Sequence, residues 1–200
     1  MRILHRLPGG WRALVAAALS AAIGWRAFIA NEPVPILDWF DLAVHETGHL
    51  VTAFMPDLVM FLAGSVAQVA FPLAMAVYFG YRRNERPAAA FCLAWAGTSM
   101  WDVSVYVADA PVQALPLVGG GIHDWAWILG HFDAIDRAAD VAGFVEVSGA
   151  VLVLTAIVVA LWPEARGDPA PVRAAVYPIR RVRPVAVPGD PWTQRPDDAA

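Results

Sequence analysis

The chain contains no lysine: all 14 of its strongly basic side chains are arginine, and five histidines complete the set. With so much alanine and proline beside them, this reads as the imprint of a GC-rich genome rather than a functional choice. A single cysteine, Cys92, excludes an internal disulfide and any multi-cysteine metal site. Charge is scarce too. Only 16% of residues are charged, the net charge is −4, and no basic patch is interleaved with aromatics, so nucleic-acid binding has no support. No fixed-period repeat runs along the chain, and its halves share no inverted pattern of the transporter kind.

What the chain has in abundance is apolar surface. Hydrophobic residues make up 58% of it, far outside the balance of a soluble domain. Five apolar segments stand out, at residues 11–30, 35–54, 58–81, 88–108 and 141–162. Each is near the ~20 residues that cross a hydrocarbon core as helix. Gly64 and Pro72 are the expected kink points of the third. Arg2, His5, Arg6 and Arg12 precede the apolar stretch Ala13–Ile23 in the manner of a signal peptide. Yet apolar character continues through residues 25–30, broken only by Arg26, which can snorkel to an interface, so an uncleaved first transmembrane helix is expected. From Pro163 onward the chain is rich in Pro, Arg and Asp. The fold class is therefore an all-α, polytopic integral membrane helical bundle of four to six membrane helices over residues 1–162, with a disordered tail at 163–200 outside the membrane.

The second segment cannot be an ordinary lipid-facing span. Its large apolar residues contribute about −4 kcal/mol on the insertion scale, at about −0.3 to −0.6 each. Asp38, Asp41 and Glu46 oppose this by about 2.5–3.5 kcal/mol apiece if charged and central. The penalty wins, so this helix must face other helices, a metal or water. Orientation adds a second constraint. Arg residues of the N-terminus, of Arg82-Arg83-Arg86 and of the tail (Arg173, Arg180, Arg181, Arg183) should all lie in the cytoplasm. Five full crossings cannot place the first two groups on one side; four crossings can, with the second segment dipping in without traversing. A bacterial inner membrane with a cytoplasmic tail is the expected setting.

Within that second segment, His45-Glu46-Thr47-Gly48-His49 forms an H-E-x-x-H signature. Residues four apart share a helix face, so His45 and His49 can turn a ring nitrogen each toward one ion. Glu46, one position round, is close enough to act as base on a water without ligating the metal. Two imidazoles plus a neighbouring base are what zinc-assisted peptide hydrolysis needs. The alternative is a pair of core histidines hydrogen-bonded to neighbouring helices. Gly48 permits close approach of a backbone or substrate, or serves helix packing.

Zinc held by two histidines needs a third protein ligand and one open position. His123 and Asp124 are the candidates, carried by the turn Gly119-Gly120-Gly121. Either His123 ligates while Asp124 caps the following helix, or Asp124 ligates while His123 stabilises an oxyanion. His131, eight residues on, shares a helical face with His123 or is an interfacial histidine beside Trp127. Thr98, Asp102, Tyr106 and Asp109 fall on one face of the fourth segment at spacings of four, four and three. Asp102 and Asp109 orient the histidines as outer acceptors, or bond across to Gln68 and Ser65 in a structural seam. Asp41, four residues before His45, raises the same pair of readings, and Glu146 marks a membrane boundary.

The signature resembles the membrane-embedded zinc metalloproteases of the site-2-protease type, which pair an H-E-x-x-H helix with a carboxylate from a later segment. The resemblance implies His45 and His49 as zinc ligands and Glu46 as catalytic base. The later Asn, Pro and Asp-Gly motif of that group is missing, and Gly121-Ile122-His123-Asp124-Trp125 stands where a third ligand is needed. The stretches 104–110, 115–121 and His123-Asp124-Trp125 also resemble a group of bacterial membrane proteins without an assigned reaction. The implied function is intramembrane, zinc-dependent hydrolysis of a membrane-spanning or membrane-adjacent peptide, with membrane lipid as surroundings. The rival is a metal-binding membrane protein without hydrolytic activity, such as a sensor, assembly factor or degenerate protease. A di-iron hydroxylase would need more histidines than the chain supplies.

Overall fold

A computed structural model describes residues 10–118 and 121–162. Arg2, His5 and Arg6, Gly119 and Gly120, and the Pro/Arg/Asp-rich tail from 163 lie outside the described residues. Six α-helices follow one another, with no strand among the described residues: α1 Gly10–Phe28, α2 Leu37–Thr52, α3 Asp57–Val77, α4 Arg86–Asp109, α5 Asp124–His131 and α6 Ala138–Leu161. A π-helical turn, Tyr78–Arg82, prolongs α3, and a 3₁₀ turn, Ile135–Arg137, leads into α6. The five apolar segments correspond to α1, α2, α3, α4 and α6 within a few residues. Proline sets two of the boundaries. Pro56 directly precedes α3, and Pro87 occupies the opening turn of α4, where a missing N–H is harmless. The eight-residue α5 is too short and mixed to be read as a segment of its own.

Small residues dictate how the long helices meet. A Cβ built on Gly97 of α4 would lie 2.6 Å from the Gly149 carbonyl oxygen of α6, and one on Gly149 would lie 2.5 Å from that of Gly97. The two backbones touch there, the close approach that small residues allow in apolar surroundings. Ala90 and Ala160 cluster at one end of this pair and Val107, Ala110, Ala138 and Ala142 at the other, so α4 and α6 run antiparallel. α1 joins through Ala16 and Ala17 beside Ala90 and Ala160, and through Gly24 against Val153.

The levels of these contacts reveal how α1 and α2 share one traverse. Arg12 pairs with Glu85 at 2.8 Å, while Gly24 and Gly97 both abut Val153, so α1 runs alongside the first part of α4. Asp41 then meets Trp95 and Ser99, and α2 accompanies the later part of α4. The intervening residues 29–36 form a tight connection held by Arg26, whose guanidinium donates to the Pro33 carbonyl at 2.6 Å and pairs with Glu32 at 2.9 Å. Ile36, just before α2, has φ 73°, a strained value for a β-branched residue. α1 and α2 thus lie along successive parts of α4. The Arg12–Glu85 pair also places the start of α1 at the same end as the turn bearing Arg82, Arg83 and Arg86.

Two helices are long and apolar enough to cross a membrane, Asp57–Arg82 with 26 residues and Ile135–Leu161 with 27. On α6 the exposed residues Phe144, Val147, Val151, Leu154 and Val158 form one outward stripe at spacings of three and four, while the inward face is Gly149, Val153, Ala156 and Ala160. Glu146 lies exposed within α6, nearer its beginning. Gly97→Ala should lower stability by about 1–3 kcal/mol through overpacking. Gly143→Ala on the open side of α6, where an added Cβ meets nothing within 4 Å, should leave it unchanged or slightly raised. Thermal unfolding of the detergent-solubilised variants measures the difference.

Candidate metal centre

The buried face of α2 is Asp41, His45 and Gly48, and His49 completes it half-buried. α2 packs antiparallel on α3. His45 meets Gln68, a Cβ on Gly48 would lie 2.5 Å from the Ala63 carbonyl oxygen, and His49 meets Met60. Gly48 therefore serves helix packing. Opposite the two imidazoles α3 carries Gly64, where an added Cβ would overlap the His45 ring and lie 2.5 Å from His49 Nε2. Gly64, expected as a kink point, is the cradle for the histidine pair.

Hydrogen bonds on the far side of each ring decide its tautomer. His49 Nδ1 lies 2.8 Å from the Met60 carbonyl oxygen, which can only accept, so Nδ1 carries the proton. His45 Nδ1 lies 2.6 Å from Gln68 Oε1. The Gln68 amide nitrogen donates to Asp102 Oδ2 at 3.0 Å and to the Ser99 carbonyl at 3.4 Å, which orients the amide and leaves Oε1 as the acceptor. His45 is therefore also protonated on Nδ1. Both Nε2 atoms then present lone pairs, and both face the same carboxylate oxygen: Asp124 Oδ2 is 3.1 Å from His45 Nε2 and 3.2 Å from His49 Nε2.

Three acceptors thus converge with no proton among them in the neutral-ring state. Buried acceptors facing one another without a donor are costly, and a cation between them removes the conflict. The donor set, two imidazole nitrogens and one carboxylate oxygen, is one that zinc takes, and all three atoms lie within 4.8 Å of one another. Two ligands at about 2.0–2.1 Å from a tetrahedral ion stand roughly 3.3 Å apart, close to the separations seen here. The residues present fit a metal ion.

No family model, curated protein or solved structure matches the chain. The site is read from its own geometry.

Of the two open arrangements for the glycine-led segment, the structure brings Asp124 to the histidine pair and turns His123 away. Asp124 is the first residue of α5, and it is His123 that caps that helix, its Nδ1 accepting the Ala126 N–H at 3.2 Å. The His123 ring is fully enclosed beside Asp109 and is not one of the three residues whose ligand atoms converge. His131 is exposed and stacked on Trp127 at 5.0 Å, an accessory to the aromatic surface and not to the centre. Glu46 is exposed on the same turn as His45. Asp102 reaches His45 only through Gln68. Asp41 fastens α2 to α4, accepting from Trp95 Nε1 at 2.9 Å and Ser99 Oγ at 2.8 Å. Asp109 closes the turn after α4 by accepting the Ala114 and Leu115 N–H groups, each at 3.0 Å. Tyr106 stacks on His123, and Thr98 bonds its own helix at Trp95. Ser65 accepts from Trp125 Nε1 at 3.0 Å, docking α5 on α3. Sequence reasoning missed the Met60 carbonyl, which carries no side-chain signal, and the role of Gly64, whose only signal was a small residue facing a histidine pair. Gly64→Ala should displace both rings. The imidazole ¹⁵N resonances of His45 and His49 would shift while far-UV circular dichroism keeps its helical signature.

Proposed function

We propose that the chain is an integral membrane, zinc-dependent peptide hydrolase, with His45, His49 and Asp124 as the metal ligands and Glu46 as the general base. The carrying observation is the convergence of His45 Nε2, His49 Nε2 and Asp124 Oδ2 with both Nδ1 atoms committed elsewhere. A bound zinc ion would polarise a carbonyl and lower the pKa of an adjacent water. Glu46 takes the proton of the attacking water as the new C–O bond forms, and returns it to the amine nitrogen as the C–N bond breaks. Glu46 suits this task because it is exposed beside the pair without occupying a ligand position. The resemblance to the site-2-protease type supports the same roles.

The membrane setting is supported by the two long apolar helices and by the outward stripe of α6. Four crossings of a bacterial inner membrane, made by α1 with α2, α3, α4 and α6, would put Arg12 and the Arg82-Arg83-Arg86 turn together on the cytoplasmic side. The substrate is a membrane-spanning or membrane-adjacent peptide, locally unwound because helical hydrogen bonds shield its carbonyls.

Metal content of the detergent-purified protein, read by mass spectrometry, tests this. About one zinc per chain is expected in the wild type, lost in His45→Ala and Asp124→Ala and retained in Glu46→Ala. Cleavage of a membrane-peptide library should disappear in Glu46→Ala. A wild type free of metal overturns the reading, persisting turnover in Glu46→Ala overturns the role of Glu46, and bound metal without turnover favours the non-hydrolytic rival.

A further inference from the structure

The third donor of the centre is anchored by a group of side chains that serve neither as ligand nor as base. Asp109, at the end of α4, holds the start of the following loop through the Ala114 and Leu115 N–H groups. The same carboxylate faces the end of that loop, with Asp109 Oδ2 lying 3.4 Å from His123 Nε2. Since His123 Nδ1 already accepts the Ala126 N–H, the neutral ring carries its proton on Nε2, which lies beside Asp109 without completing a hydrogen bond to it. One carboxylate therefore holds the start of the connection between α4 and α5 and lies close to its end.

Tyr106 lies one turn before Asp109 on α4. Its ring stacks on His123 with centroids 4.2 Å apart and planes at 27°. Its hydroxyl accepts the Asp124 N–H at 3.2 Å, one of the unpaired donors that open α5, and it donates toward Asp124 Oδ2 at 3.5 Å. An aspartate in a first helical turn has several staggered χ1 positions open to it, and only some of them turn Oδ2 to the histidines. The tyrosine hydroxyl engages both the backbone and the carboxylate of that one residue. The opposite side of the centre has its own fixed points in Gln68 and the Met60 carbonyl, and among the described residues no other α4 side chain hydrogen-bonds Asp124.

We infer that Tyr106 is the positioning residue of the metal centre: with His123 and Asp109 as its platform, it sets Asp124 Oδ2 against the two imidazoles before a metal arrives. Tyr106 has this role only if His45, His49 and Asp124 hold a metal, so it rests on the reading proposed above. Groups that orient a ligand from outside the coordination sphere typically change metal affinity 10–100-fold when removed.

The test is titration of the chelator-stripped, detergent-purified full chain with Co²⁺, followed by its visible absorption, and competition with Zn²⁺. Tyr106→Phe keeps the ring stack and removes only the hydroxyl. It should weaken binding by about 10–100-fold and alter the cobalt spectrum. Ser104→Ala removes another hydroxyl of α4, one bonded to the Trp101 carbonyl at 2.6 Å, and should bind cobalt like the wild type. A merely structural hydroxyl at Tyr106 would lower the melting temperature of the metal-free protein without changing affinity or spectrum. Asp109→Asn, acting at the far end of the platform, should weaken cobalt binding in the same direction and serves if Tyr106→Phe fails to fold. Wild-type affinity and spectrum in the folded variant would overturn the positioning role while leaving the metal centre standing. A wild type that binds neither ion would overturn the metal reading itself, and this one with it.

Discussion

Everything at the centre of this bundle depends on where two imidazole protons sit. If His45 and His49 both hold theirs on Nδ1, their Nε2 lone pairs and Asp124 Oδ2 oppose one another across about 3 Å, an arrangement that needs positive charge to persist. The protons are placed by groups with no freedom to choose. A backbone carbonyl can only accept, and the Gln68 amide has given both its donors to Asp102 and Ser99. Gln68 thereby ties three helices to one decision. It lies on α3, reads the ring on α2, and is oriented by α4.

The same network answers the energetic objection to an apolar helix loaded with carboxylates. Asp41 keeps its place because an indole N–H and a serine hydroxyl from α4 satisfy both its oxygens. Asp38, Asp41 and Asp102 border a void of about 10 Å³ together with Thr98, about the space of a single water. Glu46 avoids burial altogether. The acidic residues of α2 are thus accommodated one by one, by a partner, by room for solvent or by exposure, while the helices that carry few charges, α3 and α6, offer the apolar outer surface.

Much of this was legible in the sequence because it is local. Apolar runs bounded by proline and charge specified five of the six helices, and the four-residue spacing of His45 and His49 put both on one face. Spacing also grouped Asp102, Tyr106 and Asp109, since all three depend on a single helix period. What could not be read depends on how distant segments return to one another. Whether His123 or Asp124 faces the histidines is decided by a turn that places one residue as the helix cap and its neighbour inside the first turn, and adjacent residues in sequence offer no means to choose. Gly64 looked like a point of flexibility because its meaning lies in the rings of another helix. Likewise, the alignment of α1 with α4 follows from Gly24 and Gly97 sharing Val153 of α6, a contact among three helices.

The wide separation of the donors along the chain has a consequence for biogenesis. The two histidines belong to its first quarter, but Asp124 follows only after α3, α4 and the connection beyond them. A nascent polypeptide that has formed α2 and α3 holds both imidazoles and lacks the carboxylate that completes the set. Under the proposed role, the centre is therefore incomplete while the chain is being made and is assembled only once Asp124 has followed.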